Sequence, residues 1–395
     1  MFPLIFVGID VASQWHDCCI LGVDGEVLSE FRFGNDRCGF DRLLAAMTDF
    51  SDKRDLSDVK VGLESTGHYS INITNYLLAK RLSVKVFNPL LVNLLRKAQS
   101  LRKTTTDKLA ARFLAKLLFS DDSKPYSQPS YHITELKALT RSRYRLIQMR
   151  SKLKVSISRL VTILFPELPG AVYSINQKST YALLSALPTV KEISGTHLTR
   201  LTNLLSANSH GRYGRDKALE IRELASRSIG LDSRATGFEL QQTIRLVQGI
   251  QSEIDALDLE IKAIMREIDS PILSIPGVGY VIGAIILAEI GNIENFVNPA
   301  QLLKFAGMEP SVHESGKYKA SDTPMVKRGS KYLRWALLQA ARLVAYRDKT
   351  FGEYMAKKRA EGKHFFVAVS HVAKKLTRVL FHLLRTGETF APMSV

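Results

Sequence analysis

The sequence predicts a mixed α/β domain followed by a mostly helical half. Three observations carry that prediction. Strand-like and helix-like segments alternate from about residue 4 to residue 119. Two long stretches then carry apolar residues at heptad-like spacing, and a glycine-rich turn, SIPGVG, precedes a basic, helical tail.

In order, residues 4–10 form a short apolar run that ends on Asp10, as expected of a central strand. Residues 17–21 and 26–33 are strand-like and meet across a turn at Val23-Asp24-Gly25. Residues 39–50 have helical periodicity, 59–64 read as a strand, 70–80 as a helix, 83–88 as a strand stopped by Pro89, and 108–119 as a helix. The order β-β-β-α-β-α-β-α is the ribonuclease H arrangement, a hairpin-rich mixed sheet followed by crossover helices. Residues 127–130 contain a proline and read as a linker. A long helix is predicted over 134–165, with Leu146, Met149, Leu153, Leu160 and Ile163 near heptad spacing. A second carries Val247, Ile250, Ile254, Leu257, Ile261, Ile264 and Ile268 in a regular a/d seam. Residues 166–238 between them read as a small helical insertion. The pair suggests an antiparallel coiled-coil arm, and a plain helical core fits equally well. SIPGVG followed by the apolar run 280–290 is a helix-hairpin-helix signature, in which Gly277 and Gly279 would let backbone N–H groups approach a phosphate. The expected division is 1–126, 127–268 and 269–395.

Composition narrows the function. With 395 residues, 45% of them hydrophobic, the chain can build two or three cores. The net charge of +17 is concentrated: residues 94–154 hold 15 Lys/Arg against 4 Asp/Glu, and 317–385 hold 17 against 4, so the remainder is net acidic. Two such patches fit polyanion binding better than solvated faces, because acids are too scarce for alternating ion pairs. Cys18, Cys19 and Cys38 have no metal-ligand spacing, and their odd number argues against a disulfide framework. No signal peptide or membrane-spanning run is recognisable, so a cytoplasmic protein is expected.

The chemistry-bearing residues lie in two places. Asp10 and Glu64 end predicted strands, and Asp107 opens a predicted helix. Carboxylates at buried strand ends are costly unless they share a cation, and Mg²⁺ held by such acids can activate a nucleophile and steady a leaving oxygen. For Asp107 alone, a helix N-cap is the competing reading. The second place is Ser315-Gly316, followed by Lys327, Arg328 and Arg334, cations suited to a scissile phosphate. No catalytic-triad spacing surrounds Ser315, and most Ser-Gly pairs are only turns.

These residues look familiar as a set. Gly8-Ile9-Asp10, Glu64-Ser-Thr-Gly-His-Tyr69, Asn88-Pro89 and Thr106-Asp107, together with SIPGVG, LLKFAGMEPSVHESGKYK and KRGSKYLR, resemble the DEDD transposases of insertion sequences. This family includes the Piv-type DNA invertases and the bridge-RNA-guided recombinases. The likeness covers nearly the whole chain. It implies a RuvC-like domain, coiled-coil helices and a mostly helical C-terminal transposase domain. By position, Asp10, Glu64 and Asp107 match the first three acids, binding Mg²⁺, and Ser315 matches a serine nucleophile that forms a phosphoserine–DNA intermediate. The resemblance also implies double-stranded DNA as partner (element ends and target), a structured guide RNA, and a homo-oligomer, dimer or tetramer. The RNA is expected on the 94–154 segment, with Arg96, Lys97, Arg102 and Lys103 as phosphate contacts. One departure stands out: the family's fourth acid falls at Ala110, and Asp121 and Asp122 lie too far along the helix to replace it. The competing functions are a metal-dependent nuclease, such as a Holliday-junction resolvase with a structural serine, and a non-catalytic nucleic-acid-binding relative.

Overall fold

The structure is a computed structural model that describes residues 5–51, 56, 58–65, 68–99, 106–119, 130–311, 314–315, 318–319 and 324–391. The chain divides into two compact units, 1–128 and 129–395.

The first unit is built on a five-stranded mixed sheet in the order β3-β2-β1-β4-β5. Strands β1 (Ile5–Asp10), β2 (Trp15–Leu21) and β3 (Val27–Gly34) are antiparallel neighbours, whereas β4 (Val59–Glu64) and β5 (Ser83–Phe87) add in parallel beyond β1. Helices α1 (Arg37–Phe50) and α2 (Ser70–Ala79) supply the connections that parallel pairing demands. This arrangement is compatible with the expected RuvC/ribonuclease H-like domain. One helix was not expected: α3 (Pro89–Gln99) begins where the strand reading placed only a stop. Proline fits the first helical position, so Pro89 ends one element and opens the next.

Helix α4 (Asp107–Leu117) lies on the face of the sheet carrying Phe6, Cys19 and Leu21, with Ala111 and Ala115 against it. The opposite face, with Ile5, Val7 and Ile9, packs against buried residues such as Leu43 and Ile73. Gly8 makes the close approach of α4 possible. A Cβ there would stand 2.0 Å from the Ala111 carbonyl oxygen and 2.3 Å from the Ala115 nitrogen. We predict that Gly8→Ala destabilises the unit by about 3 kcal/mol, because backbone cannot yield as a side chain can. Chemical denaturation of the full chain checks this.

The second unit begins with α5 (Tyr131–Leu164), capped by Ser130, and pairs it with α11 (Arg234–Ile268). The pair is antiparallel: His132 meets Glu267, Arg143 meets Asp258 and Arg159 meets Glu239. On α11 the predicted seam faces the partner helix, with Val247, Ile254, Ile261 and Ile264 buried. On α5 the predicted register is off by part of a turn. Met149 and Ile163 are 52% and 36% exposed, whereas Leu153, Ile157, Leu160 and Leu164 turn inward. The true seam runs through Leu146, Arg150, Leu153, Ile157, Leu160 and Leu164, and Arg150 bonds the Gln251 side chain across it. A charged residue at a core position hid the register.

Between these helices stand α6 (Leu168–Ala171), α7 (Lys178–Ala186), α8 (Val190–Gly195), α9 (Leu198–Ala207) and α10 (Arg215–Ser226), around a core that includes Leu183, Ile193, Leu201 and Ile221. The C-terminal part comprises α12 (Tyr280–Ile290), α13 (Pro299–Phe305), the short strands β6 (Glu314–Ser315) and β7 (Tyr318–Lys319), α14 (Lys331–Arg347), α15 (Lys349–Ala360) and α16 (Phe365–Thr386). Helix α12 is its hub, buried from Gly283 to Ile290. The expected break at 268/269 falls inside one core, because Leu136, Ile261 and Met265 belong to the same cluster as α12, α14 and α16. The first helix of the expected helix-hairpin-helix is only a 3-10 turn, Pro271–Ser274. No helix among the described residues is long and apolar enough to cross a membrane.

Candidate active site

The strand register places the acids. Asp10 at the end of β1 pairs with Asp17 on β2, and Asp17 pairs with Arg32 on β3. Directly opposed residues project to one face, so Asp10, Asp17 and Arg32 form a row on the face that α4 covers. Glu64 ends β4, the strand parallel to β1. Asp107 is the first residue of α4, and its neighbour Thr106 caps the helix by accepting from the Leu109 N–H at 3.3 Å. The cap reading of Asp107 is therefore overturned, and its carboxylate is left free for other partners.

Electrostatics joins the set. The Asp10 carboxyl is pushed up to about 6, first by burial and then by the negative charges of Asp107, Glu64 and Asp17, with Arg96 pulling the other way. Of the charged groups acting on Asp10, three are acids and one is a cation, so its surroundings favour the protonated form. Oxygen donors of this kind suit a hard divalent cation. The described residues form no ready cage of three His, Cys, Asp or Glu groups at metal-binding spacing. Besides Arg96, the described residues bring Arg32 to the acids, its Nη2 2.8 Å from Asp17 and 3.5 Å from Asp107. Sequence reasoning missed both Asp17 and Arg32. Asp17 sits inside the apolar run of β2 and is 3% exposed, and its signal was its register opposite Asp10. Ala110 lies one turn beyond Asp107, half-buried.

The expected phosphate contacts fare differently. Arg96 and Lys97 occupy the last turn of α3, where Arg96 bonds Asn93. Arg102 and Lys103 lie outside the described residues, as do Asp121 and Asp122. Gly277, at φ +95°, serves packing: a Cβ would stand 2.9 Å from that of Leu343. Gly279 opens α12 with open space around its Cα.

Ser315 pairs with Tyr318 in the small ladder of β6 and β7. Pro310 and Met325 bridge further down the same hairpin, and the Lys327 N–H donates to the Gly307 carbonyl at 3.0 Å. Among the described residues, Lys327 and Arg328 therefore stand at the base of the hairpin, at the opposite end from Ser315. Lys327 itself takes the left-handed conformation, φ +57°. Arg334 is committed to structure, donating to the carbonyls of Ala306 and Lys327 at 3.0 and 3.2 Å.

A buried ion pair anchors this base, and sequence reasoning missed it. Glu289, 4% exposed on apolar α12, accepts from Arg141 at 2.8 and 3.1 Å and from the Ser330 hydroxyl at 2.7 Å. Ser330 is also the N-cap of α14. Burial alone would raise the Glu289 carboxyl, but the hydrogen bonds from Arg141 and Ser330 prevail and hold it below the usual range. A lone acid in YVIGAIILAEI was the available signal. Tyr144 and Tyr332 meet edge to face at 5.0 Å beside it, with Arg141 and Lys331 against the Tyr332 ring. We predict that Glu289→Ala destabilises the chain by about 2–3 kcal/mol, less than a fully buried pair would cost because Arg141 can hydrate. Thermal melts check it, with Glu289→Gln expected to fall between the two.

Comparison with known proteins decides the family. Residues 7–166 match the DEDD-type IS110 transposase model, and residues 269–356 match the model described as transposase, IS116/IS110/IS902 family. The chain belongs to the IS110/IS116/IS902 transposase family. The chain is 26% identical, over 98% of its length and 96% of the relative's, to a 44.8 kDa protein of insertion element IS116 from Streptomyces clavuligerus. A pilin gene-inverting protein of Moraxella bovis is 21% identical, again over 98% of this chain and 97% of its own. The transposase of IS1111A from Coxiella burnetii is 30% identical over 42% of this chain and 47% of its own. This transposase is thus an enzyme that cleaves and rejoins DNA. Transposases of the DEDD type use divalent metal ions.

Proposed function

We propose that this transposase is a site-specific recombinase in which Asp10, Glu64 and Asp107 hold Mg²⁺ and Ser315 is the nucleophile. The observation that carries the reading is the charge coupling of Asp10 to Glu64 and Asp107, acids from two parallel strands and one helix that Gly8 admits onto the sheet. When bound, the metal supplies Lewis-acid stabilisation of the oxygen charges in phosphoryl transfer.

The chain's own residues do the rest. The Ser315 oxygen attacks phosphorus, the DNA P–O bond breaks, and the departing DNA hydroxyl takes a proton while the serine loses one. A hydroxyl of a second DNA end then reverses the step, so one phosphodiester replaces another and no external energy source is required. Arg96, whose charge acts on the Asp10 carboxyl, and Lys97 beside it in the last turn of α3 bind DNA or RNA phosphates in this reading. Lys327 and Arg328, at the hairpin base, act on flanking phosphates rather than on the one under attack. The basic segment 94–154 supports binding of a structured guide RNA. The working form is a homo-oligomer, dimer or tetramer, on element ends and target DNA.

The test is a recombination assay on a supercoiled donor, with and without Mg²⁺ and with and without RNA transcribed from the sequence beside the gene. Recombinant junctions that need both are expected. Junctions formed without RNA would remove the guide from this reading, and junctions formed in EDTA would remove the metal.

A further inference from the structure

We propose that Arg32 is a positioning residue that occupies the acidic site as its resident cation, so that metal binding must draw Asp107 away from it. The inference rests on the metal-site reading above.

The geometry is specific. Arg32 donates to one oxygen of Asp17 twice, from Nε at 3.1 Å and from Nη2 at 2.8 Å, and the same Nη2 reaches Asp107 at 3.5 Å. One guanidinium thus spans a buried acid of β2 and an exposed acid of α4. In the row Asp10–Asp17–Arg32, Asp17 stands between the other two, so Arg32 shares the face of Asp10 from two strands away. The second oxygen of Asp17, Oδ1, is buried without a hydrogen-bond partner. A buried anionic oxygen left unpaired calls for a cation or a water. One guanidinium thus holds two of the acids, Asp17 and Asp107, together.

Two features give Arg32 separate roles toward its partners. Its grip on Asp17 is short and the Asp17 side chain is 4% exposed, so that contact persists. Its contact with Asp107 is longer, and the Asp107 side chain is 67% exposed, so that carboxylate is free to leave. With Asp107 on Arg32, helix α4 begins at a fixed place on the sheet. A second tether, Arg112 to Glu30 at 2.9 Å, holds the next turn of α4 to the same strand. Asp107 can then turn toward a metal without the helix moving. Arg32 holds Asp17 and Asp107 together before metal binds, and its positive charge opposes the incoming cation. A residue that were only structural would aid metal binding, so removing it would weaken affinity. A competing cation predicts the opposite sign.

The experiment is Mn²⁺ binding to the full-length chain, followed by electron paramagnetic resonance, for wild type, Arg32→Gln, Arg32→Lys and Asp10→Asn. Glutamine retains a hydrogen bond to Asp17 without the charge, and lysine retains the charge. Arg32→Gln is expected to tighten Mn²⁺ binding about tenfold, as removal of a nearby unit charge predicts, while Arg32→Lys stays near wild type and Asp10→Asn loses binding. Equal or weaker binding by Arg32→Gln, or equal tightening by Arg32→Lys, overturns the proposal and leaves the metal site standing. Absence of Mn²⁺ binding in wild type overturns both together. If Arg32→Gln does not fold, the double variant Arg32→Gln/Asp17→Asn, which removes the buried charge, is compared with Asp17→Asn alone and is expected to bind Mn²⁺ more tightly than it.

Discussion

Asp10→Asn is expected to abolish DNA strand cleavage while making the metal-free protein more stable. The loss should be on the order of 10³-fold or more, because the variant removes an oxygen donor from a site that must bear the charge of phosphoryl transfer. The gain follows from the raised pKa. The folded-state value of about 6 lies above the ordinary 3.8, so the native state holds the proton more tightly than the unfolded chain. Stability is therefore lost as pH rises from about 4 to 6, and the full cost is present above that. Neutralising the group recovers it, by about 1–2 kcal/mol after allowing for the solvent around a half-buried carboxylate. Denaturation of both proteins in EDTA should show the variant ahead at pH 8 and level with wild type at pH 4. A variant less stable at pH 8 would mean that Asp10 is engaged in a favourable pair rather than crowded by like charges.

Ser315→Ala is expected to remove recombination, by at least about 10⁴-fold, with DNA binding close to wild type. The hydroxyl is the proposed nucleophile, and Ser315 takes part in the hairpin through its backbone pairing with Tyr318, which alanine preserves. Band-shift titration beside the recombination assay separates the two effects. Loss of binding in parallel with loss of activity would point to a structural serine.

How far the sequence revealed the molecule depended on where charge met the core. The strands of the first unit were legible because each is a short run of Val, Ile, Leu and Phe ending at a turn, and Asp10 and Glu64 were legible because they break such runs at their ends. Asp17 and Arg32 were not, since they become neighbours only through the hairpin register of β2 and β3. Pro89 carried two messages, the end of β5 and the start of α3, and only the first was read. On α5, Arg150 occupies a seam position, so the apolar spacing pointed to Met149 instead. Glu289 stood out as the one acid in an apolar helix, but its partners Arg141 and Ser330 lie 148 and 41 residues away, beyond the reach of any local pattern. The hairpin likewise puts Lys327 and Arg328 at its base, although the sequence reads them as companions of Ser315.

The central claim is that the acidic set of the first unit and Ser315 serve one cleavage reaction. Trapping the protein on a nicked, suicide form of its DNA in Mg²⁺, digesting the adduct and locating the DNA-bearing peptide by mass spectrometry tests it most directly. The account predicts DNA on the peptide containing Ser315 in wild type, and no adduct in either Ser315→Ala or Asp10→Asn. An adduct on another residue, or one that persists in either variant, would contradict it.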